Sequence, residues 1–170
     1  PKPQNPAVLT NHFKMDLVDP QTRQKLIDSI VEADSKFPVI DRHFKYGTAG
    51  FRTLAADLSR VCFRVGLLVA FKAKLTTRIG VMITASHNHK DDNGVKIVEC
   101  DGHMLDQAWE GFAEDLINAK DLGAYLLEFD DSPQRMSHGF LESVFMQVSF
   151  VQVCLGMDNR ESSPGLLNAI

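Results

Sequence analysis

The chain has 170 residues, of which 44% are hydrophobic and 24% are charged, and its formal net charge is −4. This composition is sufficient for a packed core, while the acidic balance and the lack of a basic block exclude a general nucleic-acid binder. No apolar stretch reaches the roughly 18 residues that span a bilayer, so we expect no membrane partner.

The cysteines and the first residues bear on location. Cys62, Cys100 and Cys154 lack the close spacing of a zinc site and lie in apolar or strand-like contexts. We interpret them as reduced thiols in or near the core, which fits a cytoplasmic enzyme. The sequence starts without an apolar signal region, so secretion is not indicated.

The first predicted helix follows a proline-rich lead-in at residues 1–18, where the pattern is weak. Asp19 can cap the helix, with Pro20 at its first position. Apolar residues at helical spacing extend the helix to about Ser35. We therefore interpret residues 1–40 as a lead-in and a helix that precede the main domain.

A second helix is predicted from Leu58 to about Lys74, with Asp57 as its N-cap. Its apolar residues form one continuous face. We interpret its basic residues as a solvated flank: Arg60, Arg64, Lys72 and Lys74.

Two apolar runs, Ile79–Ile83 and Val95–Val98, predict strands, and the first is continuous enough for burial on both faces. The next predicted elements are a helix at 107–119 capped by Asp106, a strand or helical turn at 124–129, a strand at 148–155 and a helix capped by Ser163. Strands that alternate with amphipathic helices predict an α/β fold, a layered domain with a mixed, mostly parallel sheet flanked by helices.

The polar stretch from Thr84 to Lys96 lies between two predicted strands and is the part of the chain densest in reactive groups. Ser86 needs a base to act as a nucleophile. His87 is only its neighbour in sequence, and the hydrolase pattern Gly-x-Ser-x-Gly is absent. His87 and His89 are spaced to chelate a metal from a strand, but no further ligand completes the shell.

A phosphoryl group on Ser86 fits these surroundings better, because it would require cationic and amide donors nearby. The candidates are Arg52, Lys96, His87, Asn88 and Arg160. The turn at residues 46–52, with Thr48 and Gly50, can direct backbone N–H groups at an anion beside Arg52. A plain turn and a polar surface loop stay open as alternatives.

Three segments together resemble the α-D-phosphohexomutases. Residues 84–88 and 92–96 resemble the family's phosphoserine signature, and residues 46–52 its Gly-Thr-x-Gly-x-Arg motif. Residues 156–163 are similar to its Gly-Arg-Asp-Thr-Arg-x-Ser-Ser motif. The last motif follows the serine loop, as in the branch that acts on N-acetylglucosamine phosphate. His89 replaces the family's proline, Met157 its arginine and Asn159 its threonine.

The resemblance implies that residues 41–170 are the first of the family's four domains, truncated at the C-terminus. We expect the chain to be a piece of a longer protein, because the family's metal loop, sugar-recognition loop and C-terminal phosphate loop have no counterpart here. The implied reaction moves a phosphoryl group between O6 and O1 of N-acetylglucosamine phosphate through a hexose bisphosphate, towards UDP-N-acetylglucosamine.

The resemblance also assigns roles to residues. Ser86 carries the phosphoryl group, whose oxygen would bind Mg²⁺, and Arg52, Lys96 and His87 are the other catalytic residues. The implied phosphate-binding residues are Thr48, Gly50, Asn88, Asn93 and Arg160. Two alternatives stay open: a phosphoglucomutase or phosphomannomutase type of domain, and a shortened homologue that binds or regulates without turnover.

Overall fold

The computed structural model describes residues 19–131 and 151–170, without the side chains of residues 129–131. The described part contains one four-stranded sheet with helices around it. In chain order its elements are α1 (Pro20–Asp34), β1 (Phe51–Leu54), a 3₁₀ turn (Ala55–Asp57), α2 (Ser59–Thr76), β2 (Arg78–Ile83), β3 (Asp92–Val98), α3 (Gln107–Asn118), α4 (Leu122–Asp131), β4 (Gln152–Met157) and α5 (Ser163–Leu167).

The sheet has the strand order β1-β3-β2-β4. β3 pairs antiparallel with β1 and β2, and β4 pairs parallel with β2. The predicted α/β fold with a mixed sheet is confirmed, but among the described strands antiparallel pairing predominates. The reason is the short connection between β2 and β3, which permits only antiparallel pairing, whereas parallel strands need a long crossover.

Burial in β2 alternates. Ile79, Val81 and Ile83 are buried, whereas Met82 is 36% exposed. The prediction that this strand is buried on both faces is therefore wrong. α2 packs against the sheet, and the buried residues of β2 belong to one core with those of α2.

The helix starts are partly as predicted. The Asp19 carboxylate accepts hydrogen bonds from two backbone N–H groups of α1, and that of Asp106 accepts one in α3. Asp57 is not a cap: α2 begins after Leu58 without a side-chain cap, and Asp57 lies 3.6 Å from the Arg42 guanidinium instead. Asp57 ends the 3₁₀ turn one residue before the N-cap position of α2, which Leu58 occupies.

The C-terminal predictions also need adjustment. Residues 124–129 lie within helix α4, which decides between the two predicted options. β4 begins at Gln152, and the predicted strand positions 148–150 lie outside the described residues. α5 begins at Ser163 with Ser162 as its N-cap residue, one position earlier than predicted.

The prediction that the basic residues of α2 form a solvated flank is wrong for two of the four. Arg64 is 2% exposed and Lys72 is 3% exposed. The Lys72 ammonium donates to both Glu99 carboxylate oxygens at 2.6 Å and lies 4.4 Å from the centre of a Trp109 ring. Helices pack on both sides of α2, so Arg64 and Lys72 are buried, and each is stabilised by a carboxylate partner.

The cysteines divide into two classes. All three are free, but only Cys62 is buried, while Cys100 and Cys154 are exposed. Burial raises the pKa of the Cys62 thiol to about 12. The predicted near-core position is thus wrong for Cys100 and Cys154. Among the described helices, none is long and apolar enough to span a membrane.

Candidate functional site

The Ser86 loop, residues 84–92, is a tight connection whose backbone is hydrogen-bonded at both ends. The Thr84 amide donates to the Gly94 carbonyl at 2.9 Å, which joins β2 to β3 at the base of the loop. The Asn88 amide donates to Ala85 at 2.7 Å, and the Asp92 amide to His89 at 3.0 Å. Ala85 is buried, while Ser86 at the tip is exposed. The loop therefore presents its serine on a fixed backbone.

Strand register places the two predicted catalytic cations on the same face of the sheet. Arg52 in β1 lies opposite Gly94 in β3, and Lys96 is two residues further along β3. Partners and alternate residues share a face, so Gly94 separates the two cations without a side chain between them. The Arg52 guanidinium also donates to the Asn88 side-chain oxygen at 2.9 Å.

The glycine turn lies directly against Lys96. Gly50 has φ +80°, and a Cβ there would lie 2.3 Å from the Val95 carbonyl oxygen and 2.7 Å from Lys96 Cβ. The Gly50 amide donates to the Gly47 carbonyl at 2.8 Å, which closes the turn. Thr48 is exposed at the tip of this turn. The predicted tight turn is therefore present, and only glycine permits its close approach to β3.

Asp158, at the end of β4, accepts hydrogen bonds from the Thr84 hydroxyl at 3.0 Å and the Ser163 hydroxyl at 2.7 Å. It also accepts from the Arg160 amide at 3.2 Å. Burial by itself raises the pKa of this carboxyl, but the hydrogen bonds from Ser163, Arg160, Thr84 and Ala85 outweigh it and hold the pKa below its ordinary value. Asp158 is thus a charged acceptor.

The Asp158 carboxylate determines the direction of the Ser86 hydroxyl. The hydroxyl oxygens of Thr84 and Ser86 are 3.1 Å apart. Thr84 has one hydroxyl proton and donates it to Asp158, which leaves its oxygen to accept from Ser86. A directed chain therefore runs from Ser86 through Thr84 to Asp158.

Arg160 has different partners from those that the sequence predicts. A guanidinium has five N–H groups, and here all of them are used within the protein. Nε donates to Asp158 at 3.2 Å. The two terminal nitrogens donate to four carbonyls of the Ser86 loop: Ala85 at 2.6 Å, His89 at 2.7 Å, Asp92 at 3.1 Å and Asn88 at 3.2 Å. Arg160 therefore holds the loop and has no N–H left for a substrate phosphate.

Asn93 also departs from its predicted role in phosphate binding. Its side chain is fully buried. Its amide nitrogen donates to the hydroxyl groups of Ser162 at 2.9 Å and Ser163 at 3.0 Å. Because no surface of Asn93 is open to a ligand, we assign it to joining β3 with the start of α5.

The remaining polar residues of the loop are open to solvent. His87 and His89 are exposed, and His89 Nδ1 lies 3.2 Å from Asp91. Within the described residues, no group of three or more His, Cys, Asp or Glu side chains could hold a metal ion. An open cavity of about 570 Å³ lies beside Ser86 and is lined by Asn88, Lys90, Asp91, Asp158, Asn159, Arg160 and Glu161.

Sequence reasoning missed Thr84 and Asp158. The available signal was topological: β2 and β4 are parallel neighbours, so the residues after their carboxyl ends meet at one edge of the sheet. Thr84 directly follows β2 and Asp158 directly follows β4. A prediction that paired these two strands would have brought both side chains to Ser86.

The sequence of this chain is similar to those of known proteins. The family model for the phosphoglucomutase/phosphomannomutase alpha/beta/alpha domain I matches residues 64–123. Phosphoacetylglucosamine mutase of Saccharomyces cerevisiae is 45% identical over 131 residues, which are 75% of this chain and 23% of that protein. The chain belongs to the α-D-phosphohexomutase family. The human phosphoacetylglucosamine mutase is 42% identical over 127 residues, which are 74% of this chain and 22% of that protein.

Solved phosphohexomutase structures extend the comparison to the fold. A crystal structure of N-acetylglucosamine-phosphate mutase in its product complex superposes with a TM-score of 0.68 at 34% identity, covering 84% of this chain and 26% of that one. The Aspergillus fumigatus enzyme in complex with GlcNAc-6P and magnesium gives a TM-score of 0.64 at 33% identity, over 84% and 26% of the two chains. The chain thus spans about a quarter of these relatives.

Proposed function

We propose that this chain is the phosphoserine domain of a phosphoacetylglucosamine mutase. One observation carries the proposal: Ser86 lies exposed on a loop whose backbone is fixed from below, with Arg52 and Lys96 on the adjoining face of the sheet. Two curated relatives with this name are 45% and 42% identical to this chain over 75% and 74% of its length. The predicted cytoplasmic location belongs to the same proposal.

In the proposed reaction, phosphorylated Ser86 gives its phosphoryl group to the free hydroxyl of an N-acetylglucosamine monophosphate. The bond from phosphorus to Ser86 Oγ breaks as a bond to the sugar oxygen forms. The sugar hydroxyl loses a proton, and Ser86 Oγ gains one. The second phosphoryl group of the resulting bisphosphate then returns to Ser86 by the reverse step.

The side chains of this chain would serve that transfer through charge and orientation. Arg52 stabilises negative charge on the transferring group, and Lys96 assists the proton transfer. The Thr84 oxygen accepts a hydrogen bond from the hydroxyl of the regenerated Ser86, because Thr84 donates its own hydroxyl hydrogen bond to Asp158. Thr48 and Asn88 would provide donors at the edge of the site. The Gly50 amide is already used within the turn, so we do not propose the predicted phosphate-binding role for Gly50.

Magnesium fits the site only in part. When bound, the ion would neutralise charge on the phosphoryl group. Phosphorylated Ser86 can offer one oxygen ligand, but the described residues supply no cluster of three protein ligands. We therefore propose that the rest of the metal shell comes from outside the described residues. The A. fumigatus structure with GlcNAc-6P and magnesium supports the choice of ion.

The domain boundary is also a proposal. The sequence divides the chain at residue 40, with residues 41–170 as the family's first domain. In the structure Asp34 of α1 is paired with Arg60 and Arg64 of α2. We therefore propose that α1 folds together with the domain rather than as a separate lead-in.

A hybrid enzyme tests the proposed function. This chain replaces the aligned segment of the S. cerevisiae mutase, and conversion of N-acetylglucosamine 6-phosphate to the 1-phosphate is measured. We expect turnover, and we expect Ser86→Ala to abolish it because the phosphoryl carrier is lost. Ser29→Ala, which removes an exposed serine hydroxyl from α1, is the matched control and should leave turnover unchanged.

Mass spectrometry of the same hybrid gives a second readout. Incubation with glucose 1,6-bisphosphate should add one phosphoryl group to Ser86. A folded hybrid that neither turns over nor becomes phosphorylated would contradict the proposal. That result would instead favour a shortened homologue that binds or regulates.

A further inference from the structure

We propose that Asp158 and Arg160 are positioning residues that fix the Ser86 loop for phosphoryl transfer. The holding of the loop follows from contacts within this chain. Its consequence for the reaction rate rests on the proposed function. In this role neither residue contacts the sugar or its phosphates.

Arg160 acts on the backbone of the loop. Its guanidinium donates to four carbonyl groups within residues 85–92, those of Ala85, Asn88, His89 and Asp92. Carbonyl oxygens carry partial negative charge, so they would repel a phosphoryl group if they faced the cavity beside Ser86. Hydrogen bonds from a charged donor are about twice as strong as neutral ones. Arg160 therefore keeps these oxygens directed into the protein.

Asp158 fixes the guanidinium and the serine hydroxyl at once. It accepts from Arg160 Nε and from the Thr84 hydroxyl. The first contact balances the charge of the half-buried Arg160, whose side chain is 13% exposed. The second sets the direction of the Ser86 hydroxyl through Thr84. The two residues thus couple loop shape to the orientation of the nucleophilic oxygen.

Hydrogen exchange of the 170-residue chain tests the holding of the loop. In Arg160→Lys, a single ammonium cannot reach the four carbonyls that the planar guanidinium spans. We expect the Asn88 and Asp92 amides to exchange about tenfold faster or more, with α2 amides unchanged. Arg64→Lys is the matched control, because it removes an arginine that binds backbone carbonyls far from the loop. It should accelerate exchange in the helices without selecting the loop.

The hybrid enzyme tests the kinetic part. Arg160→Lys should lower kcat at least tenfold and leave KM for the sugar phosphate within about twofold, because ground-state binding is not the function of Arg160. If Arg160→Lys does not fold, Asp158→Asn, which keeps the side-chain shape, should give the same pattern in both measurements.

The outcomes separate the two proposals. Unchanged loop exchange together with a raised KM would overturn the positioning role and show that Arg160 binds substrate phosphate. An inactive hybrid with the native residues would remove the proposed function. Selectively faster loop exchange in the isolated chain would still establish that Arg160 holds the loop.

Discussion

Two arginine–aspartate pairs in this chain use the same chemistry in different places. Arg64 donates to Asp34 and to the carbonyls of Leu116, Ile117 and Ala119, at the C-terminal end of α3. Arg160 donates to Asp158 and to four carbonyls of the Ser86 loop. In both, one guanidinium donates to an aspartate and to several backbone carbonyls.

The difference lies in what each guanidinium holds. The Arg64 side chain is 2% exposed and connects three helices, whereas that of Arg160 is 13% exposed and holds one loop beside an open cavity. Arg64 therefore contributes to the stability of the whole fold. Arg160 contributes to the shape of a segment that must meet a ligand. The comparison shows that an arginine bound to several carbonyls orders the backbone around it, and its location decides whether the result is stability or function.

The largest expected effect comes from breaking the buried pair. Arg64→Met leaves the Asp34 carboxylate buried beside Arg60 alone and removes the donor from three carbonyls at the C-terminal end of α3. Losing one partner of a buried ion pair costs about 3–5 kcal/mol. Urea unfolding followed by circular dichroism measures this loss in the free energy of unfolding.

Arg60→Met is the control for that measurement. Arg60 binds the same Asp34, but its side chain is 20% exposed and Arg64 still neutralises the carboxylate. We expect a loss of about 1 kcal/mol, as for a partly exposed pair. Equal losses for the two variants would mean that the α3 carbonyls contribute little, and the comparison with Arg160 would fail.

A second prediction concerns the close packing of the glycine turn at residues 46–52 against β3. Gly50→Ala places a Cβ 2.3 Å from the Val95 carbonyl oxygen, at a backbone with φ +80°. We expect a loss of about 1–3 kcal/mol in the free energy of unfolding, together with slower transfer in the hybrid enzyme because Lys96 is displaced.

Gly47→Ala is the matched control from the other end of the same turn. A Cβ at Gly47 would have no atom within 4 Å, so the variant should unfold within about 0.5 kcal/mol of the native chain. If Gly50→Ala behaved like Gly47→Ala, the close approach of the turn to Lys96 would not be a requirement of the site.

The sequence predicts more of the site than of the packing around it. Ser86, Arg52 and Asn88 lie in short motifs whose chemistry can be interpreted locally, and the α1 and α3 caps follow from local rules as well. The buried Arg64 could not be predicted, because only tertiary contacts decide whether the flank beside the apolar face of α2 is covered. The role of Arg160 could not be predicted for a related reason. Its partners are backbone carbonyls 68 to 75 residues away, and the pattern of side chains does not indicate which carbonyls an arginine will contact.

The smallest predicted effect compares the two aspartates through pH. Burial alone raises the pKa of Asp34, but hydrogen bonds and charge from Arg64 and Arg60 outweigh it, so the folded pKa is below the ordinary 3.8, as it is for Asp158. Groups with a lowered folded pKa contribute their full stabilisation above the unfolded value and lose it as pH falls through the folded value. The free energy of unfolding should therefore decrease below about pH 4.

Asparagine variants apportion that decrease between the two regions. Asp34→Asn should reduce the decrease in the free energy of unfolding at low pH more than Asp158→Asn does. The reason is that the Asp34 side chain is 3% exposed, whereas that of Asp158 is 23% exposed and solvent weakens its charge interactions. Urea unfolding at a series of pH values between about 2 and 6 measures both slopes. If Asp158→Asn reduced the pH dependence of unfolding more than Asp34→Asn, the expected order would be wrong. The charges at the Ser86 loop, rather than those around Asp34, would then stabilise the fold most.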